Sequence, residues 1–269
     1  AALAIAVEQH QAGRLAMAEE IYRRILAVEP NHPDALHLLG LVEHQTGRQE
    51  QAIEHIGRAI EAHGTEATFY SSLADAYLAL QRIPDAVACY RRALALQPGF
   101  AEVHSNLGNV LKAQGELDEA IACYRRALEL KPDFAGAHSN IVYVLGFRAH
   151  DAQDICDEAR RWNQRHAEPL ARCIAPHAND RSSNRRLRVG YVSSCFRDHC
   201  QAFFTTPLLS AHDHKEFEIF CYADIARPDG ITARLRSHAD VWRSIHGLSD
   251  EEVADAVRQD RIDILVDLT

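Results

Sequence analysis

The chain has 269 residues, 47% of them hydrophobic and 25% charged, which is enough to bury a sizeable core and to form two domains. A formal net charge of −9 gives no overall attraction to phosphate backbones, so nucleic acid is not expected as a partner. Seven cysteines occur without a CxxC pair, which favours a reducing cytoplasm over a disulfide-rich or zinc-binding protein. The chain opens on the apolar run AALAIAV, which is far shorter than the roughly 18–20 apolar residues needed to span a bilayer, so no membrane association is expected.

A period of 34 residues organises the first half of the chain. Each copy has a small residue in both of its helical halves, a bulky residue one turn after the second small one, and a proline or glycine that ends the copy. These positions are Ala6, Gly40, Ala74 and Gly108; Ala18, Ala52, Ala86 and Ala120; Tyr22, Ile56, Tyr90 and Tyr124; and Pro30, Gly64, Pro98 and Pro132. Small residues let two helices approach, and the bulky residue fills the gap to the next hairpin. The pattern predicts an α-solenoid and resembles the tetratricopeptide repeat.

A fifth copy begins at Phe134 and keeps its first helix, but Asp154 stands where the second helix needs a small residue. The pattern therefore ends near Gly146, and we expect a tetratricopeptide superhelix over residues 1–147. The inner face of such a solenoid is lined by the first helix of each hairpin and takes up peptides in extended form. An extended segment of another protein is therefore the expected partner.

Two consecutive repeats carry the same His-Ser-Asn tripeptide on this inner face, ending at Asn106 and Asn140. An asparagine amide both donates and accepts hydrogen bonds, so these two residues are candidates to hold the backbone of an acceptor peptide without reading its side chains. The alternative interpretation is that they are ordinary solvated residues, since earlier repeats have Leu38 and Ser72 at the same place.

The second half of the chain has a different pattern. Residues 148–186 begin with helical periodicity and end in the polar stretch APHANDRSSNRR, which predicts a helical linker and a domain boundary. Over residues 187–269, helical runs separate four β-rich runs, RLRVGYVSS, FEIFCYAD, VWRSI and IDILVDL. This alternation predicts a parallel sheet with right-handed crossovers, an α/β Rossmann-like partial domain. Ser249 and Glu252 have the spacing of a capping box for the helix before the last strand.

The loop SSCFRDHCQ directly follows the first predicted strand, at the sheet edge where chemistry collects. No GxGxxG motif occurs near it, which disfavours a dinucleotide oxidoreductase. Cys195, His199 and Cys200 supply only three potential metal ligands, so no metal is expected, and we interpret both thiols as buried rather than nucleophilic. Farther along, Asp229 and Gly230 precede a helix, where they either meet an anion or form a plain turn and cap.

The repeats together with RLRVGYVSSCFRDH, FEIFCYAD, RPDGITARLR, ADVWRSI and IDILVDL resemble the protein O-linked N-acetylglucosamine transferases and their bacterial relatives. The resemblance implies a two-lobed glycosyltransferase of the GT-B kind, of which this chain holds the repeats and part of the first lobe. It implies inverting, metal-independent transfer from UDP-N-acetylglucosamine to Ser or Thr hydroxyls, with GDP-fucose as the alternative donor and no cofactor. The residues that bind the nucleotide sugar are then expected in a second lobe, in a longer protein of which this chain is a piece.

By the same resemblance, His199 matches the histidine of the family's first catalytic loop. An imidazole with a pKa of about 6.5 accepts a hydrogen bond from an attacking hydroxyl or anchors the substrate near neutral pH. The family commonly has SSDF followed by HP, whereas this chain has Cys195 and Cys200, so a carboxylate that would orient a neighbour is replaced. Asp198, next to His199, is the candidate to take over that supporting role.

Two functions are compatible with these observations. The first is a protein O-glycosyltransferase whose repeats guide acceptor proteins to a crevice that contains His199, in which case we expect the truncated chain to be inactive alone. The alternative is a non-catalytic tetratricopeptide adaptor in which the second domain survives only as a packing unit. A lysine and a phosphate-binding helix N-terminus in a second lobe would favour the enzyme.

Overall fold

A computed structural model describes residues 2–148, 152–174, 176–177, 179–182 and 184–268. The chain divides into two compact units, Ala1–Ile174 and Ala175–Thr269. Among the described residues, no helix combines the length and apolar character needed to cross a bilayer. This division does not test the domain boundaries predicted at residues 147 and 187, which remain predictions.

The first unit is a stack of antiparallel helices followed by two short irregular helices. The α-helices are α1 (Ala2–Gln11), α2 (Leu15–Val28), α3 (Pro33–Gln45), α4 (Gln49–Ala62), α5 (Ala67–Ala79), α6 (Ile83–Leu96), α7 (Ala101–Gln114), α8 (Leu117–Leu130), α9 (Ala135–Leu145) and α10 (Ala152–Trp162). A π-helix at Asn163–Ala167 and a 3-10 helix at Glu168–Cys173 complete the unit. Successive helices pack on one another, so the predicted helical solenoid is confirmed.

Small residues on the first helix of a hairpin leave room for the bulky residue of the second helix, which packs directly against them. A Cβ atom placed on Gly108 would lie 2.7 Å from the Tyr124 ring, and one placed on Gly40 would lie 2.5 Å from the Ile56 side chain. Tyr124 is fully buried at this contact. Only a residue without a side chain permits so close an approach, which explains why glycine stands at this position in the second and fourth copies of the repeat.

The fifth hairpin is built differently from the four before it. Helix α10 packs against α9 in the place of a second helix, so the hairpin arrangement continues to Trp162, beyond Gly146 where the sequence pattern ends. Asp154 is exposed, and the buried residue of α10 is Glu158, which lies 34 positions after Tyr124. Polar contacts with α9 therefore replace the small-on-bulky packing that the sequence pattern requires.

The second unit is a four-stranded parallel sheet in the order β3-β2-β1-β4. Its elements are β1 (Leu187–Ser193), α11 (Ala202–Ser210), β2 (Phe217–Ala223), α12 (Gly230–Arg236), β3 (Val241–Ser244), α13 (Asp250–Gln259) and β4 (Ile264–Asp267). Both neighbours of β1 run parallel to it, as does β3 beside β2, so the predicted α/β Rossmann-like sheet is confirmed. The predicted capping box at Ser249 and Glu252 begins α13.

The polar stretch before β1 is hydrogen-bonded to the amino-terminal edge of this sheet. The Asn179 amide donates to Asp263 Oδ1 at 2.7 Å, and the Arg185 guanidinium contacts both oxygens of the same carboxylate at 2.6 and 2.7 Å. Hydrogen bonds from Arg185 hold the pKa of Asp263 far below its ordinary range. The segment predicted to be a boundary is therefore anchored to the sheet that it precedes.

Candidate functional site

The loop at 194–201 leaves the carboxyl end of β1 at the point where the strand order reverses between β1 and β4. The Gln201 side chain donates to the carbonyl of Leu268 at the end of β4. Ser193, the last residue of β1, is fully buried, and its hydroxyl accepts the Cys195 N–H at 2.9 Å. Open α/β sheets bind their ligands at such a reversal point, so this loop is the candidate site on topology alone.

Asp229 fixes the loop from the neighbouring crossover. Its Oδ2 accepts the backbone N–H of Asp198 at 2.7 Å, while Oδ1 accepts the N–H of Thr232 at 2.8 Å as the cap of α12. The Thr232 hydroxyl in turn donates to the Phe196 carbonyl at 2.8 Å. The backbone N–H groups of Asp198 and Thr232 donate to the Asp229 carboxylate and lower its pKa, and Asp198 has the larger effect. The sequence left Asp229 and Gly230 as either an anion site or a turn with a helix cap, and the structure shows the turn with its cap.

His199 is exposed to solvent within this loop. The backbone N–H of Gln201 donates to His199 Nδ1 at 3.3 Å, and the His199 carbonyl accepts the Ala202 N–H at 2.9 Å at the start of α11. An imidazole that accepts at Nδ1 carries its proton on Nε2 when it is neutral, a tautomer assigned here from the hydrogen-bond partner. In this state the ring presents an N–H donor to the solvent.

The neighbours of His199 differ from the sequence expectation in one respect. Asp198 is exposed, and its carboxylate forms no hydrogen bond or ion pair with the described part of the chain, so a supporting role for it stays a prediction. Cys195 is half-buried, but Cys200 is exposed with its Sγ 3.8 Å from His199 Nδ1, so the burial expected for Cys200 is wrong. Cys200 lies in the turn that leads into α11, where its side chain faces solvent. No group of three or more metal-ligating side chains occurs among the residues described here.

A cavity of about 530 Å³ lies beside the ends of β1, β2 and β3, on the side of the sheet that packs α13. It is lined by His177, Val192, Ser193, Ser194, Asp224, Ile245, Gly247, Leu248, Asp250, Val253, Ala254, Val257, Arg258 and Leu265. Asp224 Oδ1 accepts a hydrogen bond from His246 Nδ1 at 2.7 Å at its rim, and His199 is not part of its wall. The sequence analysis did not single out Asp224 or His246, although both lie near the carboxyl ends of strands, which is the signal that would have found them.

In the repeat unit, Asn106 and Asn140 are half-buried and both contact the neighbouring hairpin. Asn140 Nδ2 donates to Asn109 Oδ1 at 3.2 Å, and Asn140 Oδ1 accepts from Lys112 Nζ at 2.9 Å. The Asn106 side chain hydrogen-bonds the hydroxyl of Tyr90. Each amide therefore links two repeats and retains part of its donor and acceptor capacity, because an amide offers two N–H groups and two lone pairs. A role in peptide binding stays a prediction.

Comparison with known proteins finds repeat models within the first unit and a different family model that begins in α10 and continues through the second unit. Tetratricopeptide-repeat models match residues 3–67, 74–115 and 101–134, and the model of glycosyl transferase family 41 matches residues 158–269. A probable UDP-N-acetylglucosamine–peptide N-acetylglucosaminyltransferase SPINDLY from Hordeum vulgare is 32% identical over 117 residues, which are 42% of this chain and 12% of that protein. The probable transferase SEC from Arabidopsis thaliana is 33% identical over 85 residues, 31% of this chain and 9% of that protein.

A solved structure of an O-GlcNAc transferase mutant from Thermobaculum terrenum matches with a TM-score of 0.66 and 35% identity, covering 99% of this chain and 45% of that one. The chain thus spans less than half of the relatives that it matches. The similarity to this structure includes both units, so the repeats and the sheet occur together in a known relative. We conclude that the chain joins tetratricopeptide repeats to a segment that matches the model of glycosyl transferase family 41, and that its predicted resemblance to the O-linked N-acetylglucosamine transferases is confirmed.

Proposed function

We propose that this chain is the acceptor-guiding and first catalytic part of a protein O-glycosyltransferase, which transfers N-acetylglucosamine from UDP-N-acetylglucosamine to Ser or Thr hydroxyls. The observation that carries the proposal is the joining of a tetratricopeptide solenoid to a segment that matches the family 41 model and whose first strand ends in a loop with an exposed histidine. We take the donor and the peptide acceptor of this proposal from the activity stated in the names of the matched relatives. The nucleotide sugar then binds mainly to the second lobe of a GT-B fold.

The chemistry is a single in-line displacement. The acceptor hydroxyl oxygen forms a bond to C1 of the sugar as the bond from C1 to the diphosphate oxygen breaks. The configuration at C1 inverts, UDP leaves, and the hydroxyl proton passes to solvent water. Such a reaction needs a positioned hydroxyl and stabilisation of the departing diphosphate, and we propose that it uses neither a metal nor a cofactor. With Nδ1 occupied by the Gln201 N–H, His199 Nε2–H donates to a substrate oxygen and positions it, in preference to acting as the base.

The repeats hold the acceptor protein in extended form. The amides of Asn106 and Asn140 retain hydrogen-bonding capacity on the first helices of consecutive hairpins, which suits contact with a peptide backbone. The seven cysteines are all free thiols, which suits a reducing compartment, and we therefore propose a cytoplasmic location.

The test uses the full-length protein that carries this chain, labelled UDP-N-acetylglucosamine or GDP-fucose, and a mixture of Ser/Thr-rich peptides. We expect transfer from the first donor, and a loss of at least about ten-fold in kcat/KM for His199→Ala, since removing one preorganised hydrogen-bond donor typically costs roughly 10²–10³-fold in rate. His63→Ala is the matched control, because this histidine lies on an exposed turn of the repeats.

The outcomes separate the two functions considered above. Transfer from GDP-fucose but not from UDP-N-acetylglucosamine would support a glycosyltransferase and replace the proposed donor with GDP-fucose. Absence of transfer from either donor, combined with retained peptide binding, would overturn the proposal in favour of the tetratricopeptide adaptor.

A further inference from the structure

An exposed aromatic and basic patch lies at the end of the repeat stack, on the first helices of the fourth and fifth hairpins. It consists of Asn109 and Lys112 on α7, Asn140 and Tyr143 on α9, and Phe147 just after α9, and we call it the α7/α9 patch. Lys112 Nζ donates to Asn140 Oδ1 at 2.9 Å and lies 5.3 Å above the centre of the Tyr143 ring. The Tyr143 and Phe147 rings are 4.9 Å apart in an edge-to-face arrangement. The contacts form one continuous surface.

The aromatic pair has no counterpart in the earlier hairpins. Tyr143 stands where the third and fourth hairpins have Asp75 and Asn109, and those side chains accept hydrogen bonds from the buried hydroxyls of Tyr90 and Tyr124. The fifth hairpin has Glu158 in place of that buried tyrosine. The first helix of the fifth hairpin therefore lacks this hydrogen bond to the second helix, and at the same position it exposes the ring of Tyr143 to solvent.

The two rings remain largely uncovered. Tyr143 is 57% exposed and Phe147 is 61% exposed. Neighbouring exposed aromatic rings are unfavourable in water and are common in surfaces that bind a partner. Because they lie next to Asn140, whose amide is a candidate contact for a peptide backbone, the rings are placed to take a side chain of the same peptide.

The charge of the patch selects among peptides. Lys131 pairs with Glu102 at 3.1 Å, but no carboxylate pairs with the ammonium of Lys112 within the described residues. One of its three N–H donors is used by Asn140, which leaves two for a ligand. The complementary group is a carboxylate, and the ring beneath the ammonium adds a cation–π contact that fixes its position.

We propose that the α7/α9 patch is a side-chain-reading subsite that selects acceptor segments in which an acidic residue is followed by an aromatic one. The carboxylate pairs with Lys112, the aromatic side chain packs on Tyr143 and Phe147, and the backbone between them contacts Asn109 and Asn140. This inference rests on the proposed function, in which the repeats hold the acceptor, and it states which acceptors they hold.

The test measures binding and omits the sugar donor, so it does not depend on transfer. Fluorescence anisotropy of the 269-residue chain is recorded with extended labelled peptides that contain Glu-Phe, Gln-Phe or Glu-Ser in an otherwise identical Ser/Thr-rich sequence. We expect the Glu-Phe peptide to bind about three-fold more tightly than the Gln-Phe peptide, the size typical of an exposed ion pair, and the difference to disappear in 0.5 M salt.

Variants assign the preference to the patch. Lys112→Met keeps the aliphatic stem and should abolish the preference for Glu over Gln, whereas Arg126→Met, an exposed cation on α8, should retain it. Tyr143→Ser with Phe147→Ser should abolish the preference for Phe over Ser, whereas Phe203→Ser, an exposed aromatic residue of the other unit, should not. Circular dichroism melts confirm that each variant is folded.

Equal binding of the three peptides by the unmodified chain, or no binding of any of them, would overturn the inference. Glu selectivity that survives in the Lys112→Met variant would also overturn it. Transfer activity of the full-length protein without such selectivity would remove the subsite alone and leave the proposed function intact.

Discussion

The fourth and fifth hairpins of the repeat stack reach the same arrangement by different physical means. In the fourth, the fully buried Tyr124 ring packs over Gly108 and its hydroxyl donates to Asn109 Oδ1 at 2.8 Å. In the fifth, the equivalent residue is Glu158, whose Oε1 accepts a hydrogen bond from His138 Nε2 at 3.0 Å. Shape complementarity holds the first pair of helices, and paired polar groups hold the second.

The polar contacts of the fifth hairpin form a chain across its two helices. His138, with a side chain only 4% exposed, lies between Glu158 and His166, and its Nδ1 is 3.0 Å from His166 Nε2. Trp162 Nε1 donates to Ser139 Oγ at 2.9 Å beside it. Buried polar groups are costly when a partner is lost, whereas apolar packing is insensitive to protonation. The comparison therefore predicts that the two hairpins respond differently to substitution and to pH.

The largest effect is expected at the apolar hairpin. Tyr124→Ala removes a fully buried ring and its hydroxyl contact, which should lower the free energy of unfolding of the repeat unit by about 3–5 kcal/mol. Chemical denaturation followed by circular dichroism measures the change. Tyr143→Ala is the matched control, since that ring is 57% exposed and its loss should change stability by about 0.5 kcal/mol or less. Equal losses for the two variants would contradict the assignment of Tyr124 to the core.

A smaller and more local effect is expected at the polar hairpin. Glu158→Ala leaves the buried His138 ring without its acceptor, at a cost of about 1–3 kcal/mol. Hydrogen exchange should show faster opening of α9 and α10 with little change in α7 and α8. Glu129→Ala on α8 removes an exposed carboxylate that pairs with the exposed Arg126, and it should leave both hairpins unchanged. Uniform acceleration across all helices in the Glu158 variant would show that the fifth hairpin is not a separate unit of stability.

Glycine substitutions test shape complementarity directly. Gly108→Ala places a methyl group against the buried Tyr124 ring, and the overpacking cost of about 1–3 kcal/mol should exceed the gain of about 1 kcal/mol in helix propensity. Gly57→Ala on α4 meets no atom within 4 Å and should stabilise the chain by about that gain. The measurement is the melting temperature of each variant. A higher melting temperature for both would mean that the Tyr124 ring moves aside freely.

The same comparison explains how much of the fold the sequence could predict. The first four hairpins follow from a local rule, because small, bulky and helix-ending residues recur at fixed spacing and each contact repeats 34 positions later. The four strands were equally accessible, since each is a short apolar run between helical segments. The fifth hairpin escaped the rule because Asp154 and Glu158 break the apolar pattern, and the buried histidine that pairs with Glu158 comes from another helix.

The candidate site shows the same limit. The loop after β1 could be placed at the sheet edge from strand order alone, and His199 was found through a family resemblance. The contact from Asp229 to the Asp198 N–H joins residues 31 positions apart through the packing of α12 beside the loop. No local signal reports such a contact, so the sequence left a turn and an anion site as equal alternatives. The contact between Asp224 and His246 forms only when β2 pairs with β3, so the two separate strand runs did not indicate it.

The smallest effect is the pH dependence of the fifth hairpin. Burial and the neighbouring His138 lower the pKa of His166, with Arg165 acting in the same direction and Asp133 opposing it. A histidine with a lowered folded-state pKa contributes stability that is present above its unfolded value of about 6.5 and is lost as the pH falls. Acidification from about pH 7.5 to 5.5 should therefore loosen the packing of the π-helix on α9, with no matching change in the fourth hairpin. Trp162 lies 5.5 Å from the His166 ring, so its fluorescence in a Trp242→Phe background reports the transition. Adding His166→Asn should flatten that titration, and an unchanged titration in this variant would assign the pH response to a group other than His166.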